Sequence, residues 1–318
     1  MEFIQDFKTE IFSINEKSFL DSSLALFDFQ YHNNLIYYQY CNLLKRTPKT
    51  VRSIESIPFL PIEFFKKHAI KSSNNTTTKI FQSSGTTDTV RSKHYIKDLK
   101  FYHQVAQRIF EKVFGPLVSY RIIALLPSYL EQSNSSLIDM VDYFIQHSKP
   151  GSGYFLDQNI ENEFTGGPKT ILFGVSYALL DLKKISLKPD NIVIETGGMK
   201  GRKKEMTRNE LHFNLMKNFN ISEIWSEYGM TELQSQAYGK CGSFTFPGWA
   251  SAFIREINDP FRFLEQGKTG GINIIDLANI ESCAFLETKD LGRIQKDNSF
   301  EVLGRFDNSD IRGCSLFV

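Results

Sequence analysis

Asn191-Ile192-Val193-Ile194-Glu195-Thr196-Gly197-Gly198-Met199-Lys200-Gly201 is the stretch that decides the fold class. Its apolar, β-branched start is too short for a helix and does not alternate with polar residues, as expected of a strand covered on both faces. A glycine-rich turn follows at once. Upstream, Thr170-Ile171-Leu172-Phe173 has the same texture, and residues 177–184 supply a helix between the two strands. Downstream, Thr207-Arg208-Asn209-Glu210 is a capping box that opens a helix with Leu211, Leu215 and Phe219 on one side; residues 221–225 return as a strand. Further upstream, Arg121-Ile122-Ile123-Ala124-Leu125-Leu126 reads as a strand. Leu137, Met140, Val141, Phe144 and Ile145 then follow helical spacing, with Ser136 and Asp139 as the cap. A strand–helix–strand rhythm of this kind predicts a doubly wound parallel α/β region over 81–240.

The flanks differ. Residues 17–46 contain neither proline nor glycine and place Leu20, Leu24, Phe27, Leu35 and Tyr38 at helical intervals, so residues 1–80 read as a helical N-terminal region. Within it, Pro58 and Pro61 exclude a continuous helix over 53–70 and favour an extended, anchored connection. Ser72 to Thr78 is a polar loop. After Cys241, four short strand candidates (253–257, 272–275, 285–287 and 300–303) are separated by Gly, Asp and Asn turns, which predicts a small antiparallel sheet or barrel over 241–318.

Composition narrows the classes of function. Lys and Arg total 37 against 36 Asp and Glu, a formal charge of +1, which implies no nucleic-acid partner. Hydrophobic residues at 41% and charged residues at 23% exclude wholesale disorder. No basic flank precedes an apolar stretch at the N-terminus, and no apolar run is long enough for a bilayer, so no export signal or membrane anchor is read. Cys41, Cys241, Cys283 and Cys314 form no C-x-x-C pair, which fits a reducing cytoplasm and suggests neither a zinc site nor a disulfide framework.

Three strings carry candidate chemistry. Ser83-Ser84-Gly85-Thr86-Thr87 gathers four hydroxyls around one glycine, with Arg91, Lys93 and His94 downstream. It reads as a phosphate cradle or as a plain Ser/Thr-rich turn. Glu195 to Gly201 lies at the C-terminal end of a parallel strand, where open α/β sheets bind ligands, and reads equally as an ordinary loop. Trp225-Ser226-Glu227-Tyr228-Gly229-Met230-Thr231-Glu232 brings an aromatic, a hydroxyl and a carboxylate to the same sheet edge, suited to a purine, a phosphate and Mg²⁺. None of the six histidines forms a dyad or metal cluster in the sequence, and no G-x-S-x-G elbow occurs; Gly174-Val175-Ser176-Tyr177-Ala178 comes nearest.

The hydroxyl loop, Tyr228-Gly229-Met230-Thr231-Glu232, Asp290-Leu291-Gly292 and Gly304-Arg305-x-Asp307 occur in the order found in adenylate-forming enzymes. Within that superfamily the chain resembles the acyl-protein synthetases of the LuxE type from about residue 57 onward. The further strings that carry this likeness are Pro58-Phe59-Leu60-Pro61-Ile62, Glu195-Thr196-Gly197-Gly198-x-Lys200-Gly201 and Asp310-Ile311-Arg312-Gly313-Cys314. The resemblance implies an α/β fold: the large N-terminal domain of an adenylate-forming enzyme, with parallel doubly wound sheets and a small β-barrel-like subdomain. The activity it implies is ATP- and Mg²⁺-dependent activation of a carboxylic acid, a fatty acid in this type, as acyl-AMP. The acyl group then moves to a protein thiol and on to a partner such as a reductase or carrier. By position, Ser83, Ser84, Gly85, Thr86 and Thr87 would wrap the phosphates. Gly197, Gly198, Met199, Tyr228, Gly229 and Met230 would border the nucleotide, Thr231 and Glu232 would meet the α-phosphate and the metal, Asp290 the ribose, and Arg305 the ribose or a phosphate.

Two departures stand out. Asp88 occupies the position after the hydroxyl loop where many members have glycine, and its charge opposes phosphate. The sequence also stops thirteen residues after Arg305, where the resemblance would continue into a mobile lid domain carrying an adenylation lysine, so the expectation is a core with that lid absent. Lys93, Lys200, Lys203 and Lys204 are the candidates for the missing charge; nothing in the sequence chooses among them, and a solvated surface lysine is the readier reading of each. Cys314 matches the acyl-accepting cysteine of acyl-protein synthetases and reads equally as a small residue that tucks in the tail; the other three cysteines read as core. Two rivals remain on these residues: an acyl- or aryl-CoA ligase, and a non-catalytic nucleotide- or acyl-binding subunit.

Overall fold

Side chains that cannot face water, and backbone groups that must be paired, sort the chain into two units. A computed structural model describes residues 2–72, 76–83, 90–127, 134–155, 160–164, 167–197 and 206–306. One unit comprises Met1–Thr76 and Thr245–Val318, the other Thr77–Phe244.

The second unit is built on five parallel strands in the order Trp225–Tyr228, Ile192–Thr196, Thr170–Val175, Arg121–Leu125, Gly153–Tyr154. Thr170–Val175 is buried at every position, as its unbroken apolar run predicts. Antiparallel strands Ala237–Lys240 and Ser243–Thr245 extend the sheet beyond Tyr228. Helix Arg208–Phe219 covers one face; His212 reaches Ser226 from it. The helices Leu99–Phe114 and Ser136–Gln146 pack together through Phe110 and Phe144, with ring centroids 5.0 Å apart. Phe114 lies 5.1 Å from the Tyr238 ring, so helix Leu99–Phe114 covers the opposite face.

Several elements differ from the sequence reading in extent. The strand read over 221–225 lies at Trp225–Tyr228, because Asn220 ends the preceding helix in the left-handed region (φ 52°) and the chain needs residues 221–224 to return to the sheet. The helix read over 177–184 spans only Ser176–Asp181. Ser135, not Ser136 or Asp139, caps helix Ser136–Gln146: its hydroxyl accepts from the Ile138 amide at 3.4 Å. Helix Leu99–Phe114 and the antiparallel pair Lys79–Gln82 and Lys93–Ile96 went unread, although Asp98 caps that helix and Gly115 (φ 90°) ends it.

In the first unit, Ala250–Arg255, Gly270–Asp276, Phe285–Ile294 and Phe300–Arg305 form an antiparallel meander. The third strand runs to ten residues, so Asp290-Leu291-Gly292 lies inside a strand, at a register shift, and not in a turn. The proline-bounded segment contributes Leu60–Pro61, paired parallel with Leu286 and Glu287 of that long strand. The helical stretch read over 17–46 is Glu16–Asn33 and Leu35–Leu43, broken at Asn34. Tyr37 stacks on Phe285 at 5.9 Å and donates its hydroxyl to the Pro58 carbonyl at 2.6 Å. Buried Gln30 donates to the carbonyls of Asn279 and Ile280 and accepts from the Ala284 amide, so a polar side chain within this core is fully used.

Asn34 holds the helix break from both sides: its carbonyl accepts from the Tyr37 amide at 3.0 Å and its amide donates to the Ser282 carbonyl at 3.0 Å. Replacing Asn34 with Ala is expected to cost about 1–3 kcal/mol, from the lost cap and the lost amide donor to the Ser282 carbonyl, which keeps the Ser72 hydroxyl. Urea unfolding should show a lower midpoint at unchanged slope, with Asn34→Ser, which keeps a capping oxygen, between Ala and wild type.

Candidate functional site

Parallel packing brings the C-terminal ends of Thr170–Val175, Ile192–Thr196 and Trp225–Tyr228 side by side, in registers Gly174↔Glu195, Glu195↔Ser226 and Thr196↔Glu227. Successive side chains of a strand point to opposite faces, so Glu195 and Ser226 share one face while Thr196 and Glu227 share the other.

On the first face, Glu195 is the hub. Its Oε1 accepts from the Ser226 hydroxyl at 2.6 Å and from the Arg208 guanidinium at 3.0 Å, with His212 Nε2 at 3.5 Å; its Oε2 accepts from the Ser176 hydroxyl at 2.7 Å. Ser176 Oγ also lies 2.8 Å from the carbonyl oxygen of Gly197. Burial alone would push the Glu195 carboxyl up, but the His212 hydrogen bond, the Arg208 charge and the two serine hydroxyls outweigh it and hold the group below the ordinary range. It is therefore an ionised carboxylate with a matched set of donors.

On the second face, Glu227 has no such compensation. Thr196 donates its hydroxyl to Glu227 Oε2, and Oε1 lies where a side chain on Gly229 would begin, 2.5 Å from the ideal Cβ. Only a glycine at 229 lets the carboxyl fold back over the chain. Burial, foremost, and the neighbouring Glu195 charge raise its pKa to about 7 against the pull of Thr196.

The sequence-derived site residues divide as follows. Gly197 is exposed at the strand end with φ 68°, the left-handed conformation that glycine adopts freely. Tyr228 is all but buried, tilted against Phe244 at 5.7 Å. Gly229 is exposed, Met230 and Thr231 are half-buried, and Glu232 is buried. These residues lie at one end of one sheet. Ser83 and Ser92 close the neck of the hydroxyl loop through paired contacts of 3.1 Å, Ser83 N to Ser92 O and Ser92 N to Ser83 Oγ. Lys93 is exposed on its strand, while the adjacent His94 is fully buried and donates from Nδ1 to the Thr231 carbonyl at 2.8 Å. Ser84, Gly85, Thr86, Thr87, Asp88, Gly198, Met199, Lys200, Lys203, Lys204 and Cys314 lie outside the described residues. Asp290 and Arg305 belong to the other unit, where they are cross-strand partners; Arg305 is exposed.

Other readings change. Cys241 is exposed, at a left-handed turn position (φ 52°), and is not core. Cys41 and Cys283 are buried, and burial pushes both thiols up, Cys41 to about 12. The histidines do find carboxylate partners: His212 meets Glu195, and His103 Nε2 lies 2.6 Å from Asp139 while stacking on Tyr143. Ser176, Arg208, His212, His94, Glu195 and Glu227 went unassigned because each needs a partner distant in sequence. The available signal was the run of polar residues ending otherwise apolar buried strands.

Among solved structures, this fold is similar to ATP-bound MatB from Rhodopseudomonas palustris, at 15% identity and a TM-score of 0.54 over 72% of this chain and 48% of that one. It is also similar to 2-hydroxyisobutyryl-CoA ligase in complex with 2-HIB-AMP and CoA in the thioesterification state, at 13% identity and a TM-score of 0.69 over 92% of this chain and 68% of that one. The open conformation of the same ligase gives 12% identity and 0.68, over 92% and 70%. The chain thus spans about half the length of MatB, and its α/β architecture is that of the N-terminal part of adenylate-forming ligases. Residues 3–134 match the family described as acyl-protein synthetase, LuxE, so the likeness read from the motifs is shown by that family's own pattern over this stretch. The match begins well before residue 57, where the motif strings started. No curated protein matches the chain.

The two carboxyls have opposite linkage to pH. Glu195, with its folded pKa lowered, contributes stability that is present above the ordinary glutamate value and lost on acidification through its folded pKa. Glu227, raised from 4.5 to about 7, binds its proton more tightly when folded, so stability falls as pH rises from 4.5 to about 7. Glu227→Gln should remove that fall, worth up to roughly 3 kcal/mol. Thermal melting at about pH 5 and about pH 8 checks this: wild type should lose stability relative to the variant on going alkaline, and parallel profiles would refute the assignment.

Proposed function

We propose that this chain activates a carboxylic acid, a fatty acid by its likeness to acyl-protein synthetases, as an acyl-adenylate at the expense of ATP and passes the acyl group to a protein thiol. The observation that carries the reading is the convergence of the exposed Gly197 turn, Tyr228 and the Thr231–Glu232 segment at one end of a parallel sheet. Open α/β sheets bind ligands at that end, and the similar solved structures are complexes with ATP or with 2-HIB-AMP by name.

In this reading Gly197, Gly198, Met199, Tyr228, Gly229 and Met230 border the nucleotide, and the hydroxyls of Ser83, Ser84, Thr86 and Thr87 meet its phosphates. Thr231 faces the α-phosphate, and His94 keeps its backbone in place. Lys93 supplies positive charge from its exposed strand position. Among the described residues no three His, Cys, Asp or Glu side chains gather into a cation cage. A Mg²⁺ ion held by phosphate oxygens and one carboxylate fits that donor set, and Glu232 is the carboxylate. Bound there, Mg²⁺ neutralises the charge of the departing pyrophosphate. A carboxylate is a poor electrophile because oxide is a poor leaving group; AMP is a good one, so a thiol can displace it and form a thioester. Cys314 is that thiol.

A second reading, a CoA ligase, is favoured by the CoA complexes among the similar structures. The acceptor separates the two. ATP–pyrophosphate exchange should depend on added acid across a chain-length panel; ATP binding without any exchange would leave only a binding role. Labelled acid with ATP should then give a hydroxylamine-sensitive band on the chain itself, absent in Cys314→Ser, with exchange held within about twofold. Persistence of the band in that variant rejects the acceptor, and label moving to added CoA instead of protein selects the ligase.

A further inference from the structure

Besides Glu232, the end of the sheet carries two buried carboxyls, Glu195 and Glu227, beneath the site proposed above for two anionic substrates, a nucleotide and a carboxylic acid. Each buried negative charge there would oppose binding unless it is compensated. Glu195 is compensated: Arg208, His212 and two serine hydroxyls surround it. Glu227, on the other face, meets only neutral groups. Thr196 donates to it from the neighbouring strand, and Tyr238 stands opposite it in register. Gln236 and Glu227 both border Gly229, and Tyr102 approaches from helix Leu99–Phe114. The charged group felt by Glu227 is Glu195, of like sign. Among the described residues no lysine, arginine or histidine forms an ion pair with it.

Glu227 also has a mechanical position. Its Thr196 bond reaches the residue just before the Gly197 turn, and its other oxygen lies against Gly229, just after Tyr228. One carboxyl therefore bonds the last strand residue before the Gly197 turn and packs against the first residue of the loop after Tyr228. We propose that Glu227 is a positioning residue that must keep its proton: as a neutral acid it couples the Gly197 turn to the Tyr228–Glu232 loop without adding negative charge where phosphates and a carboxylate bind. The inference rests on the adenylation reading and goes beyond it, making anion binding conditional on the protonation of a residue that touches no reacting atom. The raised pKa of Glu227 puts the transition near neutrality.

The test uses the full chain with Mg²⁺-ATP as the probe, titrated by calorimetry from about pH 6 to about pH 8.5 in wild type, Glu227→Gln and Thr196→Val. Glutamine reproduces the shape and acceptor of the neutral acid and cannot ionise. The titration of ATP itself is common to all three proteins, so the readout is the ratio of variant to wild-type affinity. For Glu227→Gln that ratio is expected to be near one at the acid end and to rise by about tenfold per pH unit above neutrality. Thr196→Val removes the bond that pulls the Glu227 pKa down, so the fall in affinity should move to higher pH, a shift that a merely structural lesion would not produce. Melting curves at the acid end establish that both variants are folded. A Glu227→Gln ratio that stays constant with pH overturns this proposal alone; absence of ATP binding by wild type at every pH overturns the adenylation reading and this proposal with it.

Discussion

A carboxylate buried under the end of a parallel sheet needs donors from several segments at once, and Glu195 obtains four from three segments. Ser176 begins the helix after one strand, Ser226 lies on the adjacent strand, and Arg208 and His212 come from the helix that covers that face. A missing donor would leave a charge uncompensated in a low-dielectric setting, so the network is satisfied together or not at all. The orientation of the Gly197 turn follows from it, because the Ser176 hydroxyl that serves Glu195 also lies 2.8 Å from the Gly197 carbonyl. The strands could stack on apolar contacts alone; the geometry of their ends depends on this carboxylate.

The opposite face shows the same residue type under the opposite constraint. Glu227 and Glu195 sit one register step apart on neighbouring strands, yet one is held ionised and the other is pushed to about 7. Strand alternation explains the divergence: the pleat sends one carboxyl toward Arg208 and His212 and the other toward the Thr196 hydroxyl, Tyr238 and Tyr102. Two carboxyls with separated proton affinities at one sheet edge give that edge a defined charge distribution.

Much of the fold was legible. The parallel core strands, the capping box at Thr207 and the proline-bounded edge segment are local features, and the structure places each of them close to where the residues imply. Errors of extent arose where backbone closure overrode pattern: Asn220 delays the strand that carries Tyr228, and the strand through Asp290 runs straight across a site that reads as a turn. Helix Leu99–Phe114 was missed although its cap and its terminal glycine are both present. Its buried face, Phe101, Tyr102, Val105, Ala106, Ile109 and Phe110, keeps helical spacing, but no string within it suggested chemistry.

Local sequence determined the strand and helix types, the glycine turn at 197 and the resemblance of the motif strings, because propensity, capping and periodicity act within a few residues. Tertiary structure alone decided which polar residues act together. Glu195 gained its donors, His94 found the Thr231 carbonyl and Glu227 was left without a counter-charge. Those outcomes depend on strand order, register and which helix covers which face, and no stretch of chain shorter than the whole sheet contains that information.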